Sequence, residues 1–412
     1  MITLLDLRKN PDPETVAGIE SLYDEQIRYT SLGSVEIKAC IGCWTCWLKT
    51  PGKCIYKDAM EDCYSDYVNS DKVILCMDTA QGFINHQAKA FIDRTIPHYH
   101  PYIEIVDGEC HHKARYERYP ELHFYFDDQH LNQEEAQVIE DYLYRTAYHF
   151  KSKSYRIRKN PKWALSELQP RSPINKLLTP NPTERVNKLI LYNGSPRLSG
   201  SNTAIILDTV SGTFGQNIEI RDLKQKKMWA RWAGDFSSDS AVIFVMPLYV
   251  HAMPSHVMAF IEMLQPSKGS LGFIVQQGFP ESSQSYFLEA YFENLTQRIQ
   301  RDYMGTAIKG GVEGLQLQPE KEQAKILAQF VELVGTVLEN GRMSIQSLAK
   351  LAGKDYMSKG MLILFKLMAP TSLIQFYWDR QLKQNNAFYQ RFDKPYKNAV
   401  GTAYLETIPG LE

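Results

Sequence analysis

The sequence predicts an α/β protein: two doubly wound parallel-sheet domains in tandem, followed by a helical C-terminal extension. Three observations carry that expectation. Apolar runs of strand length alternate with helical patterns up to about residue 340. The same order of strands and helices restarts at residue 187. Segments of the two halves also align: residues 70–77 match 238–246 with one extra residue, and Ala90-Phe91-Ile92-Asp93 matches Ala259-Phe260-Ile261-Glu262. Strands alternating with helices imply a parallel sheet covered on both faces, and a chain of 412 residues has room for two such domains.

In the first domain, 1–160, strands are expected at 1–7, 35–37, 72–77, 122–126 and 155–158. Helices are expected at 13–26, 59–68, 86–96 and 133–150. In the second, 187–340, strands are expected at 188–192, 218–222, 241–246, 271–276 and 306–309, with helices beginning at Thr203 and spanning 254–264, 284–301 and 320–338. Residues 151–185 hold nine Lys or Arg against two Asp or Glu, with five prolines, and 161–186 read as a linker between the domains. The extension, 341–412, has no counterpart in the first half. Its apolar stretch 357–378 is interrupted by Lys366 and Pro370, which favours a packed helix pair over a membrane span.

Composition excludes some classes of function. A net charge of −1 gives no field suited to nucleic acid or to an acidic membrane. The first residues lack the basic segment and apolar core of a signal peptide, so a cytoplasmic protein is expected. Seven cysteines in such a chain argue against a disulfide framework. Four of them fall within fifteen residues, which asks for a metal explanation.

Two stretches carry chemistry. The first runs from Asn193 to Thr203, between the apolar run 189–192 and the helical run 204–207. Gly194 and Gly200 let a backbone approach an anion, and Ser195, Ser201, Asn202 and Thr203 offer donors at the positive end of a helix. These residues also suit an ordinary capped turn; the strand–loop–helix context favours a phosphate site. The second stretch sets Cys40, Cys43, Cys46 and Cys54 at the spacing C-x2-C-x2-C-x7-C on a loop with Gly42, Pro51 and Gly52. Successive C-x2 steps favour a [4Fe–4S] cluster, with zinc or an empty thiol loop as alternatives, and Trp44 and Trp47 are placed to shield it. Cys63, Cys76 and Cys110 lie outside this spacing, and Cys110-His111-His112 reads as incidental.

Gly194-Ser195-Pro196-Arg197 followed by Gly200-Ser201-Asn202-Thr203 resembles the phosphate loop of the NADPH-dependent FMN reductase and iron–sulfur flavoprotein families, with Ser201 as an extra residue. The cysteine loop, followed by Lys57-Asp58-Ala59-Met60, resembles the compact cluster motif of the iron–sulfur flavoproteins, which precedes an Asp-Asp-Met-like sequence; Ala59 departs from it. The resemblance implies flavodoxin-like domains and FMN on Ser195, Arg197, Ser201, Asn202 and Thr203. It further implies ring contacts from Pro247, Leu248, Tyr249 and Val250 and from Gln277 and Gly278, with a [4Fe–4S] cluster on the four cysteines. NAD(P)H is then the transient donor, and a small molecule or a redox protein the partner. The family's dimers imply either a homodimer or, in this tandem chain, a dimer fused into one polypeptide. The halves divide the labour: residues 6–13 lack glycine and carry Asp6 and Asp12, whereas residues 223–232 lack cysteine. One FMN and one cluster per chain are expected, facing each other across the two halves. The implied activity is an FMN-dependent oxidoreductase or electron carrier. A cluster-free NAD(P)H-dependent FMN or quinone reductase and a non-catalytic redox sensor are the alternatives.

Overall fold

A computed structural model describes residues 1–159, 185–197, 200–352, 356–368 and 372–397. The first half runs β1 (Ile2–Asp6), α1 (Pro13–Glu20), β2 (Ile27–Ser31), α2 (Thr45–Leu48), α3 (Met60–Asn69), β3 (Lys72–Met77), the short pair β4 (Thr79–Ala80) and β5 (Phe83–Ile84), and α4 (His86–Arg94). It continues through β6 (Tyr99–Val106), β7 (Glu109–Ala114), β8 (Glu121–Phe126), α5 (Gln133–His149) and β9 (Tyr155–Lys159). The second half runs β10 (Leu189–Asn193), α6 (Asn202–Phe214), β11 (Ile218–Asp222), α7 (Trp229–Asp235), β12 (Ala241–Pro247), α8 (Ser255–Ile261), β13 (Ser270–Gln276), α9 (Phe287–Arg298), β14 (Asp302–Lys309) and α10 (Glu320–Asn340). Then come α11 (Ile345–Ala352), α12 (Lys359–Met368) and α13 (Ser372–Gln384).

Each half builds one parallel five-stranded sheet, in the orders β2-β1-β3-β8-β9 and β11-β10-β12-β13-β14. Read within each half, both orders are 2-1-3-4-5, the flavodoxin-like arrangement, whose ligands sit beyond the carboxyl ends of the strands where the order reverses. The central strands β3 and β12 are almost wholly buried, as parallel strands covered on both faces must be.

Three sequence expectations are corrected. The second strand is Ile27–Ser31, in register with β1 from Ile2↔Ile27 to Asp6↔Ser31, and not 35–37. Helix α1 stops at Glu20, so the strand begins early; Val35 is left exposed. The last strand of the second half begins at Asp302, ahead of the expected 306. Finally, β6 and β7 form an antiparallel hairpin that the sequence reading left out. Asp107 and Gly108 turn it, both at positive φ, as a two-residue type I′ loop requires. Most of the expected linker, 160–184, lies outside the described residues.

The two halves meet about an approximate two-fold axis: α4 packs on α8, and α5 on α9. The carboxylate ending each of α4 and α8 caps the start of the other. The Ser255 amide donates to Asp93 Oδ2 at 3.1 Å, and the His86 amide donates to Glu262 Oε1 at 2.6 Å. These are the residues paired by the internal repeat. One apolar core runs through both halves, with Phe83 4.7 Å from Tyr291 between ring centroids. Across the second helix pair, Arg298 grips the buried Glu135 in a bidentate pair at 2.8 and 2.6 Å.

The extension covers both halves. Helix α11 packs on β14, and α13 lies on α2 and β6. Helix α12 leaves Ile363, Leu364 and Leu367 exposed. Among the described residues no helix is long and apolar enough to cross a membrane.

Candidate functional site

Strand β10 delivers Asn193 to the carboxyl edge of the second sheet, and the chain turns there into α6. Gly194 is required at the turn: a Cβ would lie 2.7 Å from Met246 Cβ and 2.9 Å from Val257 Cγ2. Ser201 is the N-cap of α6, accepting from the Ala204 amide at 3.1 Å, so the amides of Asn202 and Thr203 stay without an intrahelical acceptor. Ser195, Ser201, Asn202 and Thr203 are all buried. Thr203 Oγ1 accepts from Gln276 Nε2, while Gln276 Oε1 has no partner. A bare backbone, free helix-start amides and buried hydroxyls fit a phosphate monoester.

In the first half the equivalent loop fills itself. The Arg8 guanidinium donates to Asp6 Oδ2 at 2.7 Å, Asp6 Oδ1 at 3.0 Å and Asp12 Oδ2 at 2.6 Å. Asp6 and Asp12 thus hold a cation of the chain's own.

Arg197 joins the two functional loops. Its Nε donates to the Gly42 carbonyl at 3.2 Å, its Nη2 to Glu313 Oε1 at 3.2 Å, and its guanidinium lies 4.0 Å from the centre of the Trp44 ring. Gly42, at φ +60°, lets Tyr249 close against the cysteine loop, since a Cβ there would fall 1.9 Å from Tyr249 Oη. Burial raises the Glu313 carboxyl above the usual range, with Arg197 opposing the rise.

Tyr249 opens a tight turn closed by reciprocal backbone bonds with Ala252 at 2.8 and 3.0 Å. Lys89 of α4 reaches across the interface to the Tyr249 carbonyl at 2.7 Å and also pairs with Asp93, both side chains fully buried. Burial, with Cys40 nearby, holds the Tyr249 phenol well above its ordinary value. On the loop after β13 the Gln277 amide donates to the Lys309 carbonyl at 2.9 Å.

The cysteine loop is pinned at its end by Asp58, which takes a bidentate bond from Arg94 at 2.8 and 2.9 Å and accepts from the Lys38 amide at 3.1 Å. Ala59, the departure from the Asp-Asp-Met pattern, is the N-cap of α3 without a side-chain bond. Asp58 accepts from the Met60 amide instead, at 3.3 Å. Trp47 anchors the loop through Nε1 to the Tyr99 carbonyl at 3.0 Å, and Trp378 of α13 closes edge-on against Trp44 and Trp47 at 5.2 and 5.5 Å. All four cysteines are free thiols, Cys46 buried and Cys43 exposed. Burial pushes Cys40 up to about 12 and Cys46 well above its ordinary value, so binding a metal would release their protons. Among the described residues no group of three or more His, Cys, Asp or Glu is set to hold a metal ion. The donor set has the right chemistry for a cluster but is not gathered around a centre.

The structure brings these pieces to one place. A single cavity of about 290 Å³ is lined by Cys40, Cys43, Cys46 and Cys54, by Ser195, Arg197, Ser201, Asn202 and Thr203, by Pro247 through Val250, and by Gln277 and Gly278. That size falls near the lower end of small-molecule sites, roughly 300–1,000 Å³. The sequence reading missed Asp93, His112, His149 and His251, which also line it. They lie on α4, β7, α5 and the turn after Tyr249, distant in sequence from both motifs.

No family model matches the chain. An iron–sulfur flavoprotein of Methanocaldococcus jannaschii is 36% identical over 69 residues, 17% of this chain and 34% of the relative. An iron–sulfur flavoprotein of Archaeoglobus fulgidus is 33% identical over 75 residues, 18% of this chain and 33% of the relative. The match therefore spans about a third of either relative's length. Among solved structures, general stress protein 14 of Treponema denticola in complex with FMN shares 15% identity, with 35% of this chain and 97% of that chain covered at a TM-score of 0.28. An FMN-dependent NADH-azoreductase of Bacillus anthracis shares 12%, with 37% and 100% covered at a TM-score of 0.29. The chain thus joins a partial sequence likeness to iron–sulfur flavoproteins with two copies of the flavodoxin-like fold.

Proposed function

We propose that the chain is an FMN-dependent oxidoreductase that also carries a [4Fe–4S] cluster on Cys40, Cys43, Cys46 and Cys54 and takes electrons from NAD(P)H. One observation carries this reading: the phosphate loop of the second half and the cysteine loop of the first line the same cavity. FMN would supply two-electron chemistry and the cluster single-electron steps.

The chain's own residues bind and orient. Ser195, Thr203 and the first amides of α6 receive the phosphate, and Arg197 exchanges its Glu313 partner for that charge. Glu313, whose carboxyl burial makes easier to protonate, then leaves little opposing charge. Trp44, Trp47 and Trp378 keep water from the Cys46 thiol. Tyr249, held by Lys89 from the other half, fixes the wall on which the ring rests. Electron donors and acceptors, whether small molecules or redox proteins, reach the same cavity.

Anaerobic expression with iron supplied, followed by flavin, iron and acid-labile sulfide analysis, tests the reading. About one FMN with four irons and four sulfides per chain is the expected result. Replacing the exposed Cys43 with alanine should abolish the cluster's absorption and paramagnetic signals while FMN content stays at the wild-type level; loss of both would sink the separate-site reading. Flavin without iron would point to a cluster-free FMN reductase, the second reading, which the ungathered thiols favour.

A further inference from the structure

Three histidines, His112, His149 and His251, line one wall of the cavity, and His111 stacks behind them on His149. His111 and His112 lie on β7, His149 ends α5, and His251 sits on the turn after Tyr249. The rings of Tyr148, His111, His149 and His251 form a row, with successive centroids 4.8, 4.9 and 4.9 Å apart. His111, His149 and His251 are each more than nine-tenths buried. His111 Nε2, His149 Nδ1 and both nitrogens of His251 have no hydrogen-bond partner. Buried polar atoms without partners are rare and need an explanation. A metal does not supply one: among the described residues no three of His, Cys, Asp or Glu are gathered to hold an ion, and the rings of His111 and His149 are stacked on each other at 24°.

The two ends of the row differ. At the outer end Tyr148 Oη donates to the exposed Asp107 at 2.7 Å, and Glu109 Oε2 lies 3.9 Å from His111 Nε2. At the inner end His149 and His251 line the cavity. His251 is held there at a backbone cost, since Val250 and His251 both have positive φ, 37° and 61°. Side chains in that region, above all a β-branched valine, are strained, and such strain gathers at functional positions.

We propose that His111, His149 and His251 form a proton path from the surface at Asp107 and Glu109 to the cavity, a role that rests on the oxidoreductase reading above. The balance requires a proton beside the hydride. In the reaction NAD(P)H + H⁺ + A → NAD(P)⁺ + AH2, hydride transfer delivers two electrons and one hydrogen nucleus, and one further proton must come from bulk water. A neutral imidazole accepts a proton on one nitrogen and releases one from the other, and the unpartnered positions are His111 Nε2, His149 Nδ1 and the two nitrogens of His251. Burial keeps the rings neutral: His111 is lowered to about 3, and His149 and His251 well below their ordinary value. Arg145 and Lys151 at the outer end and Lys89 at the inner end oppose imidazolium, with Asp107 acting the other way on His111 and the Gln284 backbone on His251.

The test follows protons and electrons separately. The purified holoprotein is photoreduced in weak buffer with a pH-indicator dye, and flavin bleaching and proton uptake are read in one trace. Wild-type uptake should keep pace with bleaching. In His149→Phe, with wild-type flavin content, uptake should lag by roughly 100-fold while bleaching is unchanged, and added imidazole should restore it in His149→Ala. Uptake that keeps pace in His149→Phe, or a lag in His149→Ala that imidazole does not relieve, would overturn the path. A wild-type protein that holds no flavin gives no bleaching at all, which overturns the functional reading first.

Discussion

Lys89→Met is expected to cost roughly 3–5 kcal/mol of folding stability, the penalty for leaving one member of a buried ion pair behind. Lys89 and Asp93 are both fully buried, so water cannot take over the lost contact. Asp93 would keep only the Ser255 amide, and the Tyr249 carbonyl would lose its donor from across the interface. Burial already lifts Asp93 to about 6 with Lys89 beside it. Without the cation its native pKa rises further above the unfolded value. The variant's deficit should therefore grow as pH rises above about 6, where the wild-type carboxylate has ionised and the variant's native state still binds the proton. Urea unfolding at several pH values measures this. Lys89→Met combined with Asp93→Leu should recover most of the loss, since removing both charges removes the uncompensated one. A single variant as stable as the wild type would show that the pair contributes nothing.

Acid should unfold the protein early. His98, His100 and His256 are buried and each is lowered to about 3, chiefly by burial. His98 stacks on Tyr67 at 5.1 Å with neither nitrogen bonded, and His256 likewise has neither bonded. Below about pH 6.5 the unfolded chain takes up protons that the native rings refuse, so stability present above that value is lost progressively down to about pH 3. At about pH 5.5 each ring withdraws about 1.4 kcal/mol, and the three together about 4 kcal/mol, against a typical total of ~5–15 kcal/mol. The urea midpoint should fall clearly between about pH 7 and pH 5.5, and less so in His98→Phe. A flat midpoint across that range would rule the account out.

Much of the fold is legible in the sequence because its central strands are buried on both faces and so read as unbroken apolar runs, as in 72–77 and 241–247. The edge strand Ile27–Ser31 has no such run: every residue in it is half-buried, and Arg28 and Thr30 break the apolar signal. The hairpin of β6 and β7 was signalled by Asp107-Gly108, a strong two-residue hairpin cue, but its strands carry Pro101 and three histidines and do not read as core. The residues singled out for FMN and the cysteines lie in compact local motifs, and all of them line the cavity. The histidine row could not be read in the same way. His111 lies well away in sequence from His149 and farther still from His251, and only the docking of the two halves brings their rings together.

The reciprocal caps at the crossing of α4 and α8 have a consequence for concentration. A two-subunit protein with its site between subunits comes apart on dilution, and each copy must keep every residue the site needs. Here the facing surfaces belong to one chain, and the tether holds them at an effective concentration that no dilution changes. Each half is then free to lose what the other supplies. Arg8 closing its own loop and residues 223–232 without a thiol are that freedom in use, and the site keeps a fixed one-to-one stoichiometry at any expression level.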